Sequence, residues 1–570
     1  VSSPQRRLLV AVAAVAVLAG AGCGGKTEPA DPAGSATASA PTGSASPAAP
    51  DPAAQARELV ATLSDEDLAG QVLMPYAYGD SATEVSAGSA AGNRKLAGVD
   101  TPAEMIDKYR LGGLILVGFS ADDPTGANQP TTNVDNPTQV HDLTTGLQQA
   151  AGKLATGAAP LLIGTDQEFG VVTRIKDGVT LLPSAMAAGA AADPDLTEAA
   201  WSAAGQELAA LGVNVDFAPD ADVLRARSSV IGSRSYGADP QVTSDQVSAA
   251  VRGLRGAGVA ATLKHFPGHG GTSADSHSKL PVLNQDRATL DKVDFAPFRA
   301  GIAAGADLVM SAHLDARAID PGTPATFSRK AITDVLKGQL GFDGVVVTDG
   351  MNMAPAQQWP PGEAAVRALN AGNDLLLMPP DLKAAYAGIL AALGDGSLSR
   401  QRLVDAVTRV LTLRFRLAAT SAPAMSTLAS PEHQAAARRL ATAAVTELRG
   451  DCGPLSGPVT VTAAAGRDGT RRLLVDALRA DGVKVVDSGG AVVHLVGYGD
   501  DSTDLRAGAA VTVAMDTPYL LAKATSKRLV ATYSSTPAAM AGLADVLAGK
   551  AEPAGRSPVP VSGLPATSCG

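Results

Sequence analysis

The chain has 570 residues, 45% of them apolar but only 3% aromatic, so it is long enough for two or three segments with cores of Val, Leu, Ala and Ile instead of large rings. Its formal charge of −10 is spread without long like-charge runs, which favours solubility and argues against a nucleic-acid partner.

Arg6 and Arg7 lead into an apolar run over residues 8–21, too short to span a bilayer as a mature helix, so residues 1–22 are expected to be an export signal. Gly20, Ala21 and Gly22 run into Cys23 in the manner of a bacterial lipoprotein's lipidation box, with the customary Leu displaced to Leu18. Lipidation of Cys23 is expected, with ordinary cleavage nearby as the alternative. The protein would then be exported and anchored on the outer face of the membrane through its lipid alone, or secreted. Residues 23–55 are mostly Ala, Ser, Pro, Gly and Thr. They cannot bury enough surface to offset ordering entropy, which predicts a disordered tether. Order is expected from the helix-cap signature SDED at Ser64. The remaining cysteines, Cys452 and Cys569, are expected to pair as a disulfide in an oxidising compartment, with two independent thiols as the alternative.

Over residues 56–420, β-rich runs alternate with helical stretches, the pattern of parallel strands joined by crossover helices. Eight such runs occur: QVLMPY from Gln71, GGLILVGF from Gly112, PLLIGTD from Pro160, VNVDFAP from Val213, AATLKHF from Ala260, DLVMSAHL from Asp307, GVVVTDG from Gly344 and DLLLMPP from Asp374. Between them the apolar period is helical, as over residues 193–211 with Leu196, Ala200, Ala203, Ala204 and Leu208 on one face. Eight βα units predict a (β/α)8 TIM-type barrel. A doubly wound open sheet is the alternative, but no Gly-rich phosphate loop follows the first strand. A helical linker is expected over residues 421–457. A smaller α/β layer domain follows over 458–570, with strands in VTVTAA, VKVVDS, VVHLVGY, AAVTVAMD and RLVATY. It is expected only to pack against the barrel.

Such a barrel keeps its chemistry at the carboxyl ends of its strands. Asp166 and Glu168 close the third run, Asp216, Asp220 and Asp222 the fourth, Lys264 and His265 the fifth, His313 the sixth and Asp349 the seventh. The densest group is KHFPGHG from Lys264 with the following Asp275, Ser276 and His277; it holds three of the chain's seven histidines. Functional residues concentrate on loops of this kind. A metal held by His265, His269, Asp275 and His277 is a second interpretation. The turn at Pro267 and Gly268 disfavours the helical His spacing of metallohydrolases, and no metal or other cofactor is expected.

KHFPGHG with the following DSH resembles the signature of the β-N-acetylglucosaminidase (β-N-acetylhexosaminidase) branch of glycoside hydrolase family 3. The likeness continues through TDQEFGVVTRIKDGVTLLP from Thr165, VDFAPDADV from Val215, IGSRSYGADP from Ile231, VMSAHL from Val309, VVVTDGMNM from Val345 and SRQRLVDAVTRVLTLRFRL from Ser399. AMDTPYLLA and ATYSSTPAAM are similar to the second domain of exported members. The resemblance implies that Asp349, delivered to the barrel mouth by a rigid apolar strand, attacks the anomeric carbon. It assigns the acid/base role to His277, with Asp275 fixing the ring's tautomer and raising its basicity. It implies sugar contacts for Asp166, Arg174, Arg234, Lys264 and His265. Arg234 could instead pair with Asp222 or Asp239, and Arg174 could simply cover the barrel rim. Glu168 and His313 are expected to act as supports.

Relatives carry Gly-Gly-Arg where this chain has Phe169, Gly170 and Val171, which removes one positive charge near the sugar site. Gly350 follows Asp349 in place of commoner choices. The implied activity is retaining, exo-acting removal of terminal β-linked N-acetylglucosamine from peptidoglycan fragments, by a monomer with a carbohydrate as its partner. A β-glucosidase or a phosphorylase on the same barrel is the alternative, and a non-catalytic wall-binding lipoprotein is disfavoured by the intact Asp349, Asp275 and His277 set.

Overall fold

The computed structural model describes residues 51–119, 122–126, 129–228 and 230–569; the expected export signal, Cys23 and the tether up to residue 50 lie outside them. Helix Pro52–Val60 opens the described chain, capped by Asp51 through the N–H groups of Ala53 and Ala54 and with proline in its first turn. This corrects both the tether's expected end at residue 55 and the expected onset of order at Ser64. Ala56 and Val60 are buried where the helix packs on Arg400–Ala418, and that burial offsets the ordering entropy. The SDED signature caps a second helix, Asp65–Gln71.

All eight expected runs contain strands. They are β1 (Leu73–Met74), β2 (Gly113–Ile115), β3 (Leu162–Thr165), β4 (Val215–Asp216), β5 (Ala260–Phe266), β6 (Leu308–Ser311), β7 (Val345–Thr348) and β8 (Leu376–Leu377). From β2 to β7 each strand pairs in parallel with its successor. Leu375 N–H donates to Val346 O at 3.1 Å to join β8, β8 pairs with β1, and Ile115 N–H donates to Pro75 O at 3.0 Å to close the ring. Every one of these strand residues is buried, which is why the runs read as continuous apolar stretches instead of alternating ones. Crossover helices such as Pro194–Ala210 and Pro240–Gly256 pack together outside the ring.

The second domain differs from its expectation at two places. VKVVDS contributes a single bridge, Val459 to Val485, and the stretch expected to continue the helix Pro431–Ala444 turns at Val445 into β9 (Thr446–Arg449). β-Branched Val445 and Thr446 suit a pleated surface better than a helix end. The linker's expected end at residue 457 is thereby corrected, because β9 belongs to the sheet. With β10 (Val459–Ala463), β11 (Ala491–Val496), β12 (Val511–Ala514) and β13 (Arg528–Ala531), the order is β9-β13-β12-β11-β10, and only β9 is antiparallel. Cys452 and Cys569 form a disulfide that ties the chain end beside β9. An apolar cluster shared by Met186, Ala187, Leu224 and Ile231 of the barrel and Leu448, Val496, Tyr533 and Val559 of the second domain holds the two together.

Candidate active site

The carboxyl ends of the barrel strands converge on one pocket, whose lining includes Asp166, Glu168, Lys264, His265, His277 and Asp349. Asp349 leaves the buried β7 with its N–H donating to Ser311 O at 3.0 Å. Its Oδ1 accepts the Gly350 N–H at 2.7 Å. His313, fully buried, lies 3.0 Å from Gly350 O through Nε2 and 2.9 Å from Thr326 Oγ1 through Nδ1. A carbonyl accepts only, so Nε2 carries the proton and pins the turn that presents Asp349. Burial pushes the Asp349 carboxyl up, but His265, His313, His277 and the Gly350 N–H outweigh it and hold it below the usual carboxylate range. Asp349 is therefore an anion at neutral pH.

His277 reaches the same pocket on the loop that follows β5. Its Nδ1 sits 2.7 Å from Asp275 Oδ1, and its backbone N–H donates to that oxygen at 2.8 Å. The imidazole's hydrogen bond, ahead of the opposing burial, lowers the Asp275 carboxyl below its ordinary value. An ionised carboxylate on Nδ1 places the ring's proton there and leaves Nε2 to exchange a proton with a bound group. The loop needs glycine at two points. Gly268 has φ +115°, and a Cβ on Gly270 would stand 2.1 Å from Val223 O.

Beside these groups lies a buried charge network. Arg234 donates from Nε and Nη2 to the two Glu168 oxygens at 2.7 and 2.9 Å. Lys264 Nζ lies 2.6 Å from Glu168 and 2.9 Å from Asp166. Arg174 pairs with Asp123, donates to Thr125 Oγ1 at 2.8 Å and stands 3.6 Å from Asp166 Oδ2. Burial favours the neutral form of Glu168, yet Arg234 and Lys264 drive its carboxyl far below the usual range. Neither carboxylate offered as a structural partner for Arg234, Asp222 or Asp239, is its ion-pair partner. Glu168, ranked as a support, is that partner and itself lines the pocket. Phe169, at the first position of the Phe169-Gly170-Val171 departure, packs edge-on against Trp201 with ring centroids 5.6 Å apart.

His265 and His269 share a second carboxylate. Asp222 accepts from His265 Nδ1 at 2.8 Å and from the His269 N–H at 2.5 Å. The four residues considered as a metal set are thus split, with His277 on Asp275 and His265 on Asp222. Among the described residues the barrel group with ligand atoms within 4.8 Å of one another is Asp220, Asp222 and His265. His269 is buried and contacts Ser276 Oγ through Nε2 at 3.1 Å. Burial, opposed by Asp222 and aided by His265, lowers its imidazole to about 4. A neutral buried histidine binds its proton more weakly than in the unfolded chain, where the value is about 6.5. Its contribution is therefore complete above pH 6.5 and falls as the pH drops toward 4. Urea unfolding at pH 7 and pH 4.5 is expected to show an acid loss that His269→Gln reduces by about 2–3 kcal/mol; an unchanged acid loss would refute this.

Asp123 and Thr125 were missed from sequence, although the strand-end rule applied to the second run points to their loop. Lys264, His265, Asp166, Arg234, His277 and Asp349 are brought to the pocket wall, whereas Arg174 and Asp275 stand behind it and hold Asp166 and His277.

A closed eight-stranded barrel with a strand-end carboxylate, a carboxylate-held histidine and a buried charged cradle is the architecture of a glycoside-processing enzyme. The family model described as glycosyl hydrolase family 3 N terminal domain matches residues 71–413, and the chain belongs to that family. It is 36% identical over 380 residues to beta-hexosaminidase A of Pseudoalteromonas piscicida, a match covering 61% of each chain. It is 40% identical over 299 residues to a beta-hexosaminidase of Stenotrophomonas maltophilia, covering 48% of this chain and 87% of the relative. The solved family 3 beta-N-acetylglucosaminidase from Paenibacillus sp. str. FPU-7 superposes with a TM-score of 0.76 at 33% identity, over 88% of this chain and 99% of that one.

Proposed function

We propose that this protein is a retaining exo-β-N-acetylhexosaminidase that removes terminal β-linked N-acetylglucosamine, with peptidoglycan fragments as its source. The observation that carries this is the presence in one pocket of an ionised Asp349 and of His277 oriented by Asp275. In the first step Asp349 bonds to the anomeric carbon as the glycosidic C–O bond breaks, and His277 gives its Nε2 proton to the leaving oxygen. In the second, His277 takes a proton from water, the water oxygen bonds to the anomeric carbon, and Asp349 departs with its electron pair. Glu168, Asp166 and Lys264 supply donors and acceptors for the sugar hydroxyls, and the β-hexosaminidase relatives support an acetamido sugar. Location outside the cytoplasm, with Cys23 lipidated, is part of the same proposal; the Cys452–Cys569 disulfide suits an oxidising compartment.

Release of 4-nitrophenol from the β-N-acetylglucosaminide and the β-glucoside, with and without phosphate, tests it. The acetamido substrate is expected to be preferred by at least about 100-fold in kcat/KM, with no phosphate dependence and with β-anomer as first product by NMR. Preference for the glucoside, sugar phosphate as product, or an α-anomer would overturn it.

A further inference from the structure

Two barrel loops that carry pocket residues are gripped by the second domain. Arg467 sits at the start of the helix Asp468–Ala480. It donates from Nε and Nη2 to the two Asp500 oxygens at 2.7 and 3.1 Å and from Nη2 also to Tyr498 O. Its Nη1 crosses to the barrel and meets Asp122 Oδ2 at 3.2 Å. Asp122 is bonded to Asp123, and Asp123 holds Arg174, whose Nη2 faces Asp166 in the sugar pocket. On the other wall, the half-buried Asp516 accepts from Ser233 Oγ, next in sequence to Arg234. A crevice of about 240 Å³, lined by Ser228, Gly232, Tyr498 and Asp516 among others, lies between these contacts.

Docking alone does not call for this arrangement. The shared apolar cluster already supplies an undirected interface. Arg467 has only 10% of its side chain exposed, so its desolvation must be offset by well-formed hydrogen bonds. An added Cβ on Gly497 would stand 2.9 Å from the guanidinium carbon, so the backbone is shaped to admit this side chain. What the arrangement does provide is direction: it fixes one side of a loop whose other side positions Arg174.

We propose that Arg467 is a positioning residue for the sugar pocket, and that through Asp122 the second domain sets the affinity for substrate, beyond packing against the barrel. This rests on the sugar-site assignment above. The test uses the full chain and whichever aryl β-glycoside the wild type hydrolyses fastest, so a preference other than the acetamido sugar leaves it intact. Arg467→Ala is expected to raise KM about 5- to 10-fold with kcat within about two-fold, and Arg467→Lys is expected to recover part of that loss. Asp122→Ala breaks the same contact from the barrel side without disturbing the second domain's own fold, and is expected to give the same rise with an unchanged melting temperature. The double variant is expected to be no worse than the worse single one, and the inhibition constant of the released monosaccharide is expected to rise in parallel with KM. A wild-type KM in Asp122→Ala, multiplying effects in the double variant, or a fall in kcat at constant KM would overturn the proposal.

Discussion

Asp349→Ala is expected to lower kcat by about 10⁴-fold or more on every glycoside substrate, because the other carboxylates of the pocket, Asp166 and Glu168, are tied up in ion pairs with Lys264 and Arg234. The folded state should tolerate the change. The Asp349 side chain is given one backbone donor, from Gly350, while the main-chain bond to Ser311 and the His313 clamp on Gly350 do not need the carboxylate. The vacated space beside the anomeric carbon also makes a positive test. Azide or formate at high concentration is expected to restore turnover of an aryl glycoside, and the azide product is expected in the α configuration, since a single displacement replaces two. Asp349→Asn should be equally slow without exogenous nucleophile, because the amide is a poor nucleophile of nearly the same shape. Wild-type turnover by Asp349→Ala would remove Asp349 from the reaction, and a β-glycosyl azide would refute single displacement at the vacated position.

The second large effect depends on the leaving group. His277→Ala is expected to cost about 10³- to 10⁴-fold on a β-linked disaccharide, whose leaving alcohol needs a proton, and only about 10-fold on a nitrophenyl glycoside in bond cleavage. Asp275→Asn should fall between these limits, as it keeps a side chain beside the ring but removes the carboxylate that accepts from Nδ1. The acid side of the pH profile follows from the structure. Asp275 is lowered chiefly by its hydrogen bond to His277, so the carboxylate and the orientation it enforces persist at neutral and mildly acidic pH. They are lost only as the pH falls through that depressed value, which puts the loss at the acid end. A loss in His277→Ala that is the same for nitrophenyl and alkyl leaving groups would show that the histidine does not deliver the proton.

Much of this site lay open in the one-dimensional pattern, and for identifiable reasons. A parallel strand buried on both faces must be apolar throughout, so the eight runs stood out. Their polar last residues, among them Asp166, Lys264, His265 and Asp349, could then be placed at one end of a barrel. Asp275 and His277 are two residues apart, so their pairing is a local matter that a short loop decides by itself. The failures have the opposite character. β9 is paired by β13, which lies far along the chain, and helix Pro52–Val60 is stable through its contact with Arg400–Ala418. Neither partner can be read from the segment's own composition.

The same division separates the chemistry from its tuning. The choice of Asp349 and His277 as candidate reacting groups, the order of the barrel strands and the closeness of Asp275 to His277 were legible in sequence alone, because each depends on residue type, period or short spacing. Which carboxylate neutralises Arg234, whether Glu168 supports the pocket or lines it, and the route from Arg467 through Asp122 toward Arg174 were decided only by the tertiary structure. Those pairings join residues that are 66 and 345 positions apart in the chain. At such separations the ion pair formed is the one that packing of the apolar core brings within reach, since charge by itself does not choose among the many acidic groups of this chain.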